Sequence, residues 1–164
     1  ADTAAKLTKG AAGTVPTAGA STLAYAFPPG YEYTYVEKTT GTAITATSEA
    51  TADTIVTSAA VAYDGSTAVM IEFFAVNANF VANTFLQLVL YDGSSPIGIL
   101  AYCAGAPATG QTWWPVSLRR RLTPTNATRT YSVRAFTGTG SANVNGGTGG
   151  TATAVPAFIR ISKA

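Results

Sequence analysis

The sequence predicts an all-β fold, an antiparallel β-sandwich, and three observations carry that prediction. From Tyr31 onwards side chains alternate with a period of two, as in YEYTYVEK, where Tyr31, Tyr33 and Tyr35 fall on one face and Glu32, Thr34 and Val36 on the other. Thr, Val, Ile and aromatic residues gather in short runs separated by turn signals about every 8 to 12 residues. No segment sustains a period of about 3.6 over the length a stable helix needs.

The elements follow in order. Residues 1–29 are rich in Ala, Thr, Gly and Ser and end in FPPG, which continues neither a helix nor a central strand. They are expected as an extended N-terminal arm whose Leu7, Val15, Leu23, Tyr25 and Phe27 dock on another surface. Residues 30–164 are expected as one sandwich domain. Its strands are YEYTYVEK, TAITATS (Thr42 to Ser48), a Thr/Val/Ile run from Asp53 to Tyr63, and AVMIEFFAV (Ala68 to Val76). FLQLVLY (Phe85 to Tyr91), PIGILAYC (Pro96 to Cys103) and PVSLRRRL (Pro115 to Leu122) come next. TYSVRAF (Thr130 to Phe136), a short piece near Ala142 to Val144, and PAFIRIS (Pro156 to Ser162) complete the set. Asp64-Gly65 and Asp92-Gly93 are turn dipeptides. The stretch GTGSANVNGGTGG (Gly138 to Gly150) is expected as a long mobile loop before the last strand. Roughly eight to ten strands suit a jelly roll, in which two antiparallel sheets face each other.

Composition bounds the rest. With 164 residues, 47% of them hydrophobic, the chain fits one domain with a real core and is not mainly disordered. No uncharged apolar run approaches the roughly 20 residues that span a bilayer, so no membrane partner is expected. The amino terminus ADTAAKLTKG lacks the apolar core of an export signal, and Ala1 is the kind of residue left after removal of an initiator Met. Synthesis in the cytoplasm is therefore expected. Cys103 is the only cysteine and histidine is absent, which removes disulfides, cysteine metal cages and the commonest general base. No cofactor and no metal are expected.

Charge is divided along the chain. Residues 1–92 hold all eight acids and three lysines, a net −5, while residues 93–164 hold seven bases and no acid, a net +7. Either the second part binds a polyanion, or strands of the two parts lie side by side and neutralise each other. The overall net charge of +2 is weak for phosphate tracking, so nucleic acid is not an expected partner.

Three consecutive arginines, Arg119 to Arg121, stand out in a chain with only 11% charged residues. Alternation in PVSLRRRL places Arg120 with Val116, Leu118 and Leu122, and turns Arg119 and Arg121 outward. An arginine on an apolar face needs a carboxylate. Glu72, in the most apolar strand, is the expected partner, giving a buried Glu72–Arg120 ion pair either inside the sandwich or across a subunit interface.

No constellation points to catalysis, and an enzyme is not expected. Asp64 and Asp92 precede glycines in turns where aspartate bonds its own backbone. No Ser, Thr or Cys has a histidine to activate it, and Cys103 reads as a small buried hydrophobe. The sequon Asn126-Ala127-Thr128 reads as a turn. Trp113 and Trp114 form a candidate ligand platform, because aromatic residues bury large area at low entropic cost.

Taken together, PPGYEYTYVE, ATSEATADTIVTSAAVAYDGSTAVMIEFFA, LVLYDGSSPIG, SLRRRLTPTNATRTYSVRAF and VPAFIRISKA resemble a domain frequent in tailed-bacteriophage virion proteins, itself similar to the C1q/TNF-type trimeric jelly roll. The resemblance covers residues 28–164 and rests on the succession of strands. It implies a homotrimer with the last strand near the threefold axis, and an oligomer interface that includes Tyr131, Phe158, Ile159, Arg160 and Ile161. It also implies a location on the virion surface. The expected function is that of a capsid decoration (cement) protein, whose arm holds it to the major capsid protein or another virion component. The alternative is a tail or head-fibre tip that binds a host receptor or glycan.

Overall fold

The computed structural model of the chain describes residues 14–18, 23–81, 84–104, 111–138 and 141–164. Its architecture is the expected antiparallel β-sandwich, built from two main sheets. At the centre of the first sheet runs β7, here Val69–Val81, numbered by its place in the chain order. One edge of β7 pairs along its whole length with β10 (Gln111–Leu122). Its other edge is shared: β14 (Ala157–Lys163) takes Val69 to Phe74, and β13 (Ala142–Asn145) takes Asn77 to Phe80. Outside these lie β3 (Glu32–Lys38) on β14 and β4 (Thr42–Ile44) on β13.

The second sheet has the order β5 (Asp53–Thr57), β12 (Tyr131–Thr137), β8 (Phe85–Asp92), β9 (Ser95–Ala104). Two small antiparallel pairs stand apart from both: β1 (Val15–Ala18) with β2 (Leu23–Ala26), and β6 (Val61–Ala62) with β11 (Thr128–Arg129). Among the described residues eight strands are five residues or longer. Counted along the chain as one to eight, they give the order 1-8-3-6 in the first sheet and 2-7-4-5 in the second.

Alternation explains the core. Val69, Ile71, Phe73 and Ala75 of β7 point between the sheets, and so do Ile159 and Ile161 of β14. Leu86, Leu88 and Leu90 of β8 and Tyr131 and Val133 of β12 meet them from the other side. Each large apolar side chain buried in this way stabilises the fold by roughly 1.5–3 kcal/mol. A bulge opposite Pro115 gives β7 one residue more than β10, so its inward set moves from Ala75 to Ala78 and Phe80. β7 runs five residues past the expected end of AVMIEFFAV, where it stays paired with β10 and β13.

The connection from β4 to β5 covers the back of the second sheet. Asp53 Oδ2 accepts hydrogen bonds from the backbone N–H groups of Thr45, at 2.7 Å, and Ala46, at 2.9 Å. Tyr91 Oη donates to the Glu49 carbonyl at 2.6 Å. Ala46 and Ala52 thereby pack on Val89, Tyr91 and Phe136, a second small apolar cluster.

Several expectations change in detail. TAITATS is a strand only as far as Ile44, because Thr45 and Ala46 are bound to Asp53 instead of a ladder. The run from Asp53 to Tyr63 breaks at Ser58, which exchanges bonds with Tyr131: Ser58 N–H donates to the Tyr131 carbonyl at 2.8 Å, and Tyr131 N–H donates to Ser58 Oγ at 2.9 Å. Within the segment expected as an extended arm, β1 and β2 form an antiparallel pair. The short piece expected near Ala142 to Val144 is β13, a strand of the first sheet inside the Gly138 to Gly150 stretch otherwise expected as a loop.

Candidate functional site

The outward face of the first sheet carries an organised set of side chains. Register brings Arg119, Glu72, Arg160 and Tyr35 into one row across β10, β7, β14 and β3. Arg119 Nε lies 2.9 Å from Glu72 Oε1, and Arg160 Nε lies 3.4 Å from Glu72 Oε2 and 3.5 Å from Glu32 Oε2. Each oxygen of Glu72 thus serves a different arginine. The next row holds Ser117, Phe74, Phe158 and Glu37. Phe158 stacks on Phe74 with ring centroids 5.5 Å apart and packs on Tyr35 at 5.1 Å, while Tyr35 Oη donates to Glu37 at 2.9 Å.

The expected Glu72–Arg120 pair does not form within the chain. Glu72 alternates with the inward Ile71 and Phe73, so it faces outward and meets Arg119, directly opposite in the ladder. Arg120 turns to the other face, is half-buried, and lays its guanidinium against Gly98 of β9 in the space a Cβ there would take. No carboxylate among the described residues lies within ion-pair distance of it. The strand alternation that placed Arg120 inward also places Glu72 outward, which was the missed signal.

The residues implied for an oligomer interface divide in two. Tyr131, Ile159 and Ile161 are fully buried between the sheets, so they are core residues and not available to a second chain. Phe158 and Arg160 lie on the outward face and remain partly exposed. Neighbours on a strand point in opposite directions, and the last strand alternates accordingly.

The same rule separates Trp113 from Trp114. Trp113 stands opposite Asn79 on the outward face, whereas Trp114 stands opposite the buried Ala78 and faces the inner side at the sandwich rim. Both are exposed, at 57% and 42%, but they do not form one platform. Beside Trp113 are two cross-strand asparagine pairs: Asn143 Nδ2 donates to Asn79 Oδ1 at 3.4 Å, and Asn145 Nδ2 donates to Asn77 Oδ1 at 2.6 Å. The spacing NAN and NVN was their signal in the sequence.

At one end of the sandwich a cleft of about 280 Å³ is lined in part by Phe27, Tyr33, Tyr63, Asp64 and Lys163. Phe27 stacks on Tyr31 of its own chain with centroids 4.0 Å apart, and its carbonyl accepts a bond from Lys163 Nζ. The Tyr63 hydroxyl is buried without a hydrogen-bond partner, and burial raises its pKa. Leu7 lies outside the described residues, as do the side chains of Val15, Leu23 and Tyr25.

None of these groups assembles into a catalytic set. Asp64 closes its own turn, accepting from Thr67 Oγ1 at 2.6 Å and from the N–H groups of Ser66 and Thr67 at 2.7 Å each, bonds that hold its carboxyl well below the usual carboxylate range. Asp92 pairs with Arg129 at 3.4 Å. Cys103 is half-buried and burial raises its pKa, which keeps the sulfur a thiol rather than a nucleophilic thiolate. Among the described residues no cluster of acids and cysteine could hold a metal ion, and no helix is long and apolar enough to cross a membrane. No family model matches the chain, and no curated protein matches it.

Proposed function

We propose that this chain is a structural protein of a tailed-bacteriophage virion, a homotrimeric capsid decoration protein that reinforces the shell. The observation that carries the reading is the strand order 1-8-3-6 facing 2-7-4-5. We read this order as supporting a jelly roll of two Greek keys, an architecture used in viral capsid components. Fold does not fix function, so the site must support it. Here the support is an outward sheet face where Phe158, Phe74 and Tyr35 gather beside the paired charges of Glu72, Arg119 and Arg160.

In this reading the part of the outward face around Phe158, Phe74 and Tyr35 meets its symmetry mates about a threefold axis, and the Trp113 corner stays outside the contact. Aromatic rings supply the area, and the prepaired arginines enter the contact with their charge already matched. Residues 1–29, which include the paired strands β1 and β2, attach each chain to the major capsid protein. Three linked attachments act together, so avidity gives durable binding from modest contacts.

The copy number of the chain in purified virions, measured against the major shell protein by quantitative mass spectrometry, tests the proposal. Comparable numbers are expected for a decoration protein. A small fraction would assign the chain to a tail or fibre instead.

A further inference from the structure

We propose that the Trp113 corner of the first sheet's outward face is a carbohydrate-binding site for one neutral pyranose ring of a glycan. Trp113 is 57% exposed and lies directly opposite Asn79, which in turn lies opposite Asn143. Directly opposed residues hold their Cβ atoms about 4.5–5.5 Å apart, so the indole adjoins the amides. One row further along, Asn77 and Asn145 repeat the pair. The corner thus sets an exposed indole beside four amides on two consecutive rows.

A pyranose presents an apolar C–H face and a rim of hydroxyls, and this corner matches both. The indole covers the face. An amide offers two N–H donors and a carbonyl with two lone pairs; Asn79 is buried at 5% exposure and serves to hold Asn143, which keeps one N–H and its carbonyl for a ligand, and the half-buried Asn77–Asn145 pair likewise keeps groups of both kinds. Those bonds also fix the amides before a ligand arrives, which lowers the ordering cost. Gly41 leaves room at the edge, since a Cβ there would stand 3.2 Å from Asn145 Oδ1.

Charge selects the class of sugar. The row of Trp113, Asn79, Asn143 and Ala43 carries no charged residue, nor does the Asn77–Asn145 pair; the next row, that of Phe74 and Phe158, has its one charge, Glu37, two strands away from β7 on β3, and the arginines begin only at the row of Arg119 and Glu72. Trp114 faces the other way, so a single indole meets the ligand and sizes the site to one ring.

The test titrates the intact protein with the methyl glycosides of glucose, galactose, mannose, N-acetylglucosamine and glucuronic acid, read by saturation-transfer NMR. Saturable binding of at least one neutral glycoside is expected, weakened about tenfold or more by Trp113→Ala and measurably by Asn143→Ala. Trp114→Ala should bind as the parent does, and an unchanged melting curve for Trp113→Ala shows that the fold is intact. Absence of binding to every neutral glycoside, preference for the glucuronide, or equal loss in the two tryptophan variants would overturn the proposal. Because the measurement uses isolated protein, it stands apart from the virion copy number.

Discussion

Glu72 lies directly opposite Arg119 in the ladder of β7 and β10, and the two side chains meet at 2.9 Å on the outward face. Glu72 is the more buried partner, 17% exposed against 71% for Arg119, and it also serves Arg160. Removing the shared carboxylate therefore costs more than removing the exposed arginine. Glu72→Gln should lower stability by about 1–2 kcal/mol, and Arg119→Ala by no more than about 0.5 kcal/mol. Urea unfolding midpoints of the two variants check the order.

Ile159 and Phe158 are neighbours on β14 with opposite duties. Ile159 fills the core at 0% exposure, so Ile159→Ala should cost about 2–5 kcal/mol. Phe158→Ser leaves the core untouched and should cost about 1 kcal/mol of chain stability through its lost ring contacts. Thermal unfolding of both variants tests which face each residue serves.

Glycines in the segment after β13 are packing residues. A Cβ at Gly146 would strike the Lys38 carbonyl and the Ala157 nitrogen, and one at Gly147 would strike the Ala154 carbonyl, all of them backbone atoms. Gly146→Ala or Gly147→Ala should destabilise by about 2 kcal/mol or more. Gly93, in the turn between β8 and β9, has open space around it and a φ of +59°. Gly93→Ala should cost only the left-handed strain, about 1–2 kcal/mol. Denaturant titrations distinguish the two causes.

Stability should fall at both ends of the pH scale for identifiable reasons. Bonds from Thr67 and Ser66 hold Asp64 below its ordinary value of 3.8. Its contribution is therefore present above about pH 4 and lost as the pH falls through the lower folded value, and Asp64→Asn should flatten that acid limb. Burial raises Tyr63 and pushes Tyr131 up to about 12 from the ordinary 10.0. The unfolded phenols ionise first, so stability is full below about pH 10 and declines as the pH rises towards the folded values. Tyr63→Phe removes a buried hydroxyl that has no partner, and should be neutral or stabilising at pH 7 with a later alkaline decline. Melting temperatures across the pH range check all three statements.

Much of the fold was legible because a period of two is a direct consequence of strand geometry. YEYTYVEK, FLQLVLY and TYSVRAF became β3, β8 and β12 within a residue or two of their expected ends. The β13 strand was legible only as a short piece, since Asn143 and Asn145 sit among glycines and it pairs with the far end of a bulged β7 and the three-residue β4. The site was less legible than the fold. Alternation placed Arg120 correctly on the inner face, but partner choice depends on register between strands distant in sequence, and register put Arg119 opposite Glu72. The split of Trp113 from Trp114 was already implicit in strand geometry.

The central claim is a structural trimer built through the outward face of the first sheet. Sedimentation equilibrium of the intact protein beside Phe158→Glu tests it most directly. The account predicts three times the chain mass for the parent, and a folded species of single-chain mass for the variant, whose added carboxylate would be buried at the contact. A parent of single-chain mass, or a variant that remains trimeric, would contradict it.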